Sequence, residues 1–229
     1  MENTGKAAVA EFVATFGLVF IGASAVILSA SGVLDLTGVA LAHGLVFAIM
    51  VSITAHLSGG FVNPAVTIGL WVAGKIPSGR AMVLILAQLL GAVAAAYLVK
   101  FLFPVTAFDA GTGGAAVLNS QIASGKGIVL EAVGTFFLVF AVFGTAVDER
   151  GPFDKTAGFT IGLVIAFDIM AFGPLTGAAV NPARWLGPAL AAGAWDNWFV
   201  WIVGPVSGAI VAAVLYSMVF LRDQQPATP

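Results

Sequence analysis

A chain of 229 residues that is 60% hydrophobic and only 9% charged has too little charge to cover a soluble domain of that size, so the composition describes a multi-span membrane protein. A formal net charge of -2 without any basic cluster gives no ground for a nucleic-acid partner. The absence of cysteine excludes disulfides and thiol chemistry, and His43 and His56 stand in no ligand cluster, so neither a metal nor a cofactor is expected.

Six apolar stretches are long enough to span a bilayer, at roughly 7–30, 38–55, 81–103, 127–147, 157–173 and 198–221. The first has almost no charged leader and no clear signal-peptidase pattern, so it reads as a retained span. Connections are short except for 105–126, a stretch rich in Gly, Ala and Ser that reads as a loop. Small-residue pairs four apart, such as Ala87 with Gly91, Gly158 with Gly162 and Gly204 with Gly208, allow close helix crossings.

Between the second and third spans stands Ser58-Gly59-Gly60-Phe61-Val62-Asn63-Pro64-Ala65. After the fifth, Thr176-Gly177-Ala178-Ala179-Val180-Asn181-Pro182-Ala183-Arg184 repeats the pattern 118 positions later. Asn before Pro is a helix start: Asn caps the free amides and Pro suits the first helical position. About ten apolar residues follow each motif, covering roughly 15 Å, half of a hydrocarbon core of about 30 Å. Two such re-entrant half-helices, entering from opposite faces, meet near the midplane.

The halves repeat each other. Glu11 matches Glu131, Gly44 matches Gly162, Asn63 matches Asn181 and Gly91 matches Gly208, at offsets of 120, 118, 118 and 117. The fold class is therefore an all-α membrane protein of six spans and two half-helices. It forms a single domain over 1–229, with repeats at about 7–104 and 127–221. Three spans per half force the second copy to be inverted, and short segments at matching places in inverted halves mark the functional site. With both termini cytoplasmic, Lys6, Lys75, Arg80, Arg150, Lys155 and Arg222 lie inside and only Lys100 and Lys126 outside, as the positive-inside rule asks. Trp195, Trp198 and Trp201 read as an interfacial belt at the outer edge of the last span.

Glu11 and Glu131 are charges within apolar spans, where a carboxylate marks a pathway or a buried polar network. Re-entrant backbone needs hydrogen-bond partners, and each glutamate stands beside a short segment whose amides it can accept. The competing reading, a proton relay, lacks further carboxylates to link the two. Asn63 and Asn181 are placed to offer amides to a passing water where the half-helix N-termini add positive potential. Arg184 at membrane depth calls for a water-filled surrounding.

The paired Asn-Pro-Ala motifs (Asn63, Pro64, Ala65 and Asn181, Pro182, Ala183) resemble the signature of the aquaporin, or major intrinsic protein, family, and the likeness extends from about residue 7 to 221. The resemblance implies a passive water channel of prokaryotic type that excludes protons and ions, is no enzyme, and forms a homotetramer in the plasma or inner membrane. It assigns Glu11 and Glu131 to holding the re-entrant loops and Arg184 to the outer selectivity filter. Family spacing places its other filter positions twenty before Asn63 and twelve and three before Asn181, at His43, Ile169 and Ala178. That set resembles the filter of plant tonoplast intrinsic proteins, as does Gly173-Pro174-Leu175-Thr176-Gly177, and implies a wider, still polar mouth. Ammonia, hydrogen peroxide or glycerol is the alternative cargo, and an ion-coupled secondary transporter is the rival from another class. His56 resembles the family's loop histidine, tuning conduction from the cytoplasmic side or bonding loop backbone. Asp168 beside Ile169 is expected to bond the outer loop or a neighbouring helix. Trp185 after Arg184, and the pair Trp201-Ile202, depart from the family's usual pattern.

Overall fold

A computed structural model describes residues 4–150 and 156–222. Lys155, counted above among the inward-facing cations, lies outside the described residues, as do the two ends of the 1–229 range. Among the described residues, six helices are long and apolar enough to cross a membrane: α1 (Thr4–Ala30), α2 (Leu36–Ser58), α4 (Ser78–Leu102), α6 (Ser124–Val142), α7 (Ala157–Thr176) and α9 (Val200–Val219). Two short helices, α3 (Pro64–Val72) and α8 (Pro182–Ala192), begin at the prolines of the repeated motif. Six crossings return the chain to the face where α1 begins, here called the terminal face.

The ends of these elements follow from local chemistry. Asp35 caps α2 by accepting from Gly38 N at 2.7 Å, and Gly59, at φ 106°, closes it. The fifth span runs past the expected 173 through Pro174, which removes one internal hydrogen bond without ending the helix, and it closes with Gly177 N donating to Gly173 O at 2.8 Å. The fourth span ends in a π-helical turn, Phe143–Val147. There Arg150 donates to Asp148 at 2.9 and 2.7 Å and to Phe220 O at 2.7 Å, while Tyr216 Oη donates to Asp148 Oδ2 at 3.1 Å. This cluster ties the end of α6 to the end of α9, and the Arg150 guanidinium holds the Asp148 carboxyl well below the usual carboxylate range.

Two expectations need correction. The 105–126 stretch is no plain loop: it contains α5 (Val105–Ala110) and a 3-10 turn at Thr112–Gly114, and its last residues belong to α6. It is drawn inward because Asn119 N donates to Leu175 O at 2.8 Å and the backbone at Gly114 rests on α1 at Ala23, where a Cβ would leave no room. Trp195 and Trp198 are exposed as a belt requires, but Trp201 is only 1% exposed. Its ring stacks on Trp185 at 5.6 Å and its Nε1 donates to Thr176 O at 2.9 Å. Trp185 and Trp201, which both depart from the family pattern, are therefore packing partners between α8 and α9.

The duplication is visible in packing. Gly91 lets α4 lie on the α1 backbone at Phe12, and its repeat mate Gly208 does the same for α9 on α6 at Ala132. Gly44 of α2 and Gly162 of α7, also mates, face each other's carbonyl oxygens across the junction of the halves. Large apolar side chains such as Phe101, Val129 and Met218 cover the outside, as a lipid-facing surface requires.

Candidate functional site

Residues 59–62 and 177–180 are non-helical backbone at membrane depth, so their amides need internal acceptors. Glu11, fully buried in α1, supplies them for the first segment. Its Oε1 accepts from Ser58 Oγ at 2.6 Å and Phe61 N at 2.9 Å, and its Oε2 from Val62 N and Gln88 Nε2, both at 2.7 Å. Glu131 in α6 repeats this for the second segment, accepting from Thr176 Oγ1 at 2.6 Å, Ala179 N at 3.0 Å and Val180 N at 2.6 Å. The backbone so held is unusual: Val62, Ala178 and Val180 have φ of 55°, 42° and 43°, a region that residues with a Cβ avoid and that persists only when surroundings over-determine it. Gln88 is the unmatched fourth donor, since Pro205 occupies its place in the second half. Sequence reasoning passed over it, although a glutamine inside an apolar span is a readable signal.

Asn63 and Asn181 serve two purposes with different atoms. As caps, Asn63 Oδ1 accepts from Ala65 N at 2.8 Å, and Asn181 Oδ1 from Ala183 N at 2.9 Å and Arg184 N at 3.2 Å. Each amide nitrogen then reaches the other loop: Asn63 Nδ2 donates to Val180 O at 2.8 Å, and Asn181 Nδ2 to Val62 O at 3.0 Å. Each –NH2 carries two hydrogens and spends one on this exchange, leaving one per asparagine. Pro64, Ala65, Pro182 and Ala183 are buried in the first turns behind them, so the two positive helix ends face each other across the junction.

Arg184, only 4% exposed, donates from Nη1 to Gly114 O at 3.2 Å and points Nη2 at His43 Nε2, also 3.2 Å away. His43 Nδ1 lies 2.9 Å from Val39 O. A carbonyl only accepts and a guanidinium only donates, so these partners assign the hydrogen to Nδ1 and the lone pair to Nε2. Gly114, from the inward-folded 105–126 stretch, was missed because nothing in a Gly-rich loop announces a buried acceptor.

Three cavities lie in file past these groups. One of about 350 Å³ opens away from the terminal face and is lined by Val39, Ile169, Gly177 and Arg184 among others. A waist of about 10 Å³ follows, bordered by Leu18, His43, Phe47, Ala178, Asn181 and Arg184, which is room for about one water. A third of about 430 Å³, with Phe47, Val51, Gly60, Val66 and Ile161 in its wall, lies toward the terminal face. Arg184 joins the first two cavities and Phe47 the last two. Of the four filter candidates, His43, Ala178 and Arg184 meet at the waist, while Ile169 shares the outer wall with Arg184. The expected wider mouth is therefore the outer cavity, and the level of His43 is narrow. His56 is exposed in the last turn of α2, where Ala55 and Gly59 rather than its ring border the third cavity. Asp168 does not make the expected bond through Oδ2: it is 2% exposed and that oxygen has no partner, packed instead where Gly134, Phe172 and Val180 crowd together.

A helical membrane bundle that sets two half-helices end to end beside a water-sized waist, between two wider cavities, is built as a channel. The chain belongs to the family described as Major intrinsic protein, whose profile matches residues 2–216. It is 42% identical over 232 residues to Aquaporin TIP4-4 of Zea mays, covering 95% of this chain and 88% of that one. Aquaporin TIP2-1 of Arabidopsis thaliana is 39% identical, with 96% and 89% covered. The X-ray structure of the aquaglyceroporin from Plasmodium falciparum superposes with a TM-score of 0.84 at 28% identity, over 95% of this chain and 97% of that one.

Proposed function

We propose that the protein conducts water passively in both directions and excludes protons and ions. The reading rests on the reciprocal asparagines, each of which keeps one N–H unspent, and on the place of Asn181 in the border of a waist that admits about one water. A water that accepts from both turns its own hydrogens outward, which interrupts the donor–acceptor chain that proton hopping needs. Two helix N-termini and the Arg184 guanidinium add positive potential along the same path and oppose cations. Glu11 and Glu131 hold the loops, their oxygens being occupied by amides of the re-entrant segments and by the side chains of Ser58, Gln88 and Thr176 rather than by a relay. Selection falls to His43, Ala178 and Arg184 at the waist, with Ile169 above them.

The second reading is carriage of ammonia, which is water-sized and hydrogen-bonds as water does, so it fits the same waist; glycerol and hydrogen peroxide are larger and are expected to cross more slowly. The names of the relatives, an aquaglyceroporin among them, keep the wider solute range in play. We further propose one domain with repeats at about 7–104 and 127–221, a homotetramer in the plasma or inner membrane, and cytoplasmic termini as the Lys and Arg distribution directs. His56 is then at the cytoplasmic rim.

Stopped-flow shrinkage of proteoliposomes against impermeant osmolyte, glycerol and ammonium gradients tests this reading. Water flux well above that of empty vesicles and indifferent to imposed proton or sodium gradients is expected. Flux equal to empty vesicles overturns the channel, and dependence on an ion gradient restores the secondary transporter.

A further inference from the structure

We infer that Gly22 is a positioning residue for the waist: its bare Cα leaves a notch in α1 that seats the His43 ring and so fixes Arg184. This rests on the filter reading of His43 and Arg184 above. A glycine in mid-helix is disfavoured by propensity, so its presence asks for a reason in packing. At Gly91 and Gly208 that reason is backbone, since the atoms a Cβ would strike belong to the main chain of a crossing helix. At Gly17, earlier in α1, it is the flexible end of Met50. At Gly22 the three nearest atoms all belong to the imidazole of His43: a methyl would overlap Nε2, lie 2.7 Å from Cδ2 and 3.1 Å from Cε1.

The ring cannot yield freely. Its Nδ1 is tied to Val39 O at 2.9 Å, and its Nε2 is the acceptor for Arg184 Nη2 at 3.2 Å. Relieving the overlap requires a shift of about 1 Å to reach ordinary carbon–nitrogen contact, and Nε2, nearest the methyl, must move most. Such a shift withdraws one of the two acceptors of Arg184, leaving Gly114 O alone, or drives the ring into a waist with room for about one water.

The repeat shows that the notch is not a general feature of this fold. By the same offsets the mate of Gly22 is Val142 and the mate of His43 is Ile161, and both line the cavity toward the terminal face. Where the corresponding helices border the wide cavity, no ring is seated and no glycine is used. Where they border the waist, the glycine and the histidine occur together.

The test is a cycle of Gly22→Ala, His43→Ala and the double variant, each reconstituted in liposomes and measured for water and glycerol permeability per reconstituted protein. Gly22→Ala alone should lower water permeability by about tenfold, the effect of raising a barrier by about 1.4 kcal/mol. In the His43→Ala background the same substitution should change neither water permeability nor the water-to-glycerol ratio by more than about twofold, since the ring it displaces is gone. Equal loss in both backgrounds, or no loss in either, overturns the inference while leaving the filter reading intact. The filter reading fails separately if His43→Ala by itself leaves the water-to-glycerol ratio unchanged. Should Gly22→Ala not assemble, the double variant is expected to, because removing the ring frees the space; failure of both places the constraint in helix packing and overturns the inference.

Discussion

Glu131 offers the sharpest test of what holds the second re-entrant segment. Glu131→Ala strips the acceptors from two buried amides, Ala179 N and Val180 N, and from Thr176 Oγ1. An orphaned buried donor costs about 1–3 kcal/mol, so the two amides alone cost about 4 kcal/mol. The left-handed backbone at Ala178 and Val180 also loses its restraint. Glu131→Gln is milder by construction. Its carbonyl can replace Oε1 and keep Thr176 and Ala179, while its –NH2 opposes only Val180 N, a loss of about 2 kcal/mol. Thermal unfolding in detergent should therefore rank wild type above Gln above Ala. Stopped-flow water permeability should follow the same order, with the glutamine variant retaining most of its flux and the alanine variant little. A proton relay would treat both substitutions as equal losses. If Gln and Ala reduce flux alike while Gln stays folded, the scaffold argument is wrong.

Three further outcomes follow from other sites. Arg150 lowers the Asp148 carboxyl, so the stability it confers is present above the unfolded aspartate value of about 3.9 and is lost as pH falls below it toward the folded value. The melting temperatures of wild type and Asp148→Asn should differ by a constant amount from about pH 5 to 8, with the gap narrowing only in stronger acid. Asp168→Asn removes a carboxylate whose Oδ2 has no partner, so its melting temperature should equal or exceed that of wild type, and a drop of several degrees would reveal a contact the geometry lacks. Arg184→Val should admit cations or larger neutral solutes, read as a rise in glycerol or ion flux relative to water; unchanged ratios would remove Arg184 from the filter.

Much of this was legible in the sequence for a physical reason: lipid leaves few choices. Spans must be apolar and helical, and a buried Glu or Arg must have a purpose, so Glu11, Glu131 and Arg184 stand out against their neighbours. Asn63 and Asn181 announced helix starts through capping chemistry, and the constant offset tied them together. What was illegible depends on tertiary direction. The sequence does not show that Gly114 turns its carbonyl to Arg184, or that the 105–126 stretch folds inward instead of looping out. Trp201 was misread because hydropathy places a tryptophan near an interface without saying whether its indole faces lipid or, as here, the Thr176 carbonyl. Gln88 and Gly22 were readable only as oddities: their partners lie on other helices, out of reach of local pattern.

Inverted duplication also bears on which side of the channel discriminates. Stepping each filter position by 118 gives His43 the mate Ile161, Ile169 the mate Val51, Ala178 the mate Gly60 and Arg184 the mate Val66. All four mates border the cavity of about 430 Å³ toward the terminal face. The fold therefore builds the same wall twice, but at these four matched positions only the far copy carries hydrogen-bonding and charged side chains. On the proposed filter reading, the apolar side chains of these mates offer a solute no bond to lose or gain and so set access, whereas exchange of partners at His43 and Arg184 is what discriminates. Ile161→Ala, which enlarges a space already wide, should leave the water-to-glycerol permeability ratio within about twofold of wild type, with some loss of thermal stability from the truncated side chain. His43→Ala, its mate, should change that ratio by more. If the Ile161 substitution moves selectivity as far as the His43 substitution does, discrimination is shared between the two mouths and the duplicated wall is a second filter.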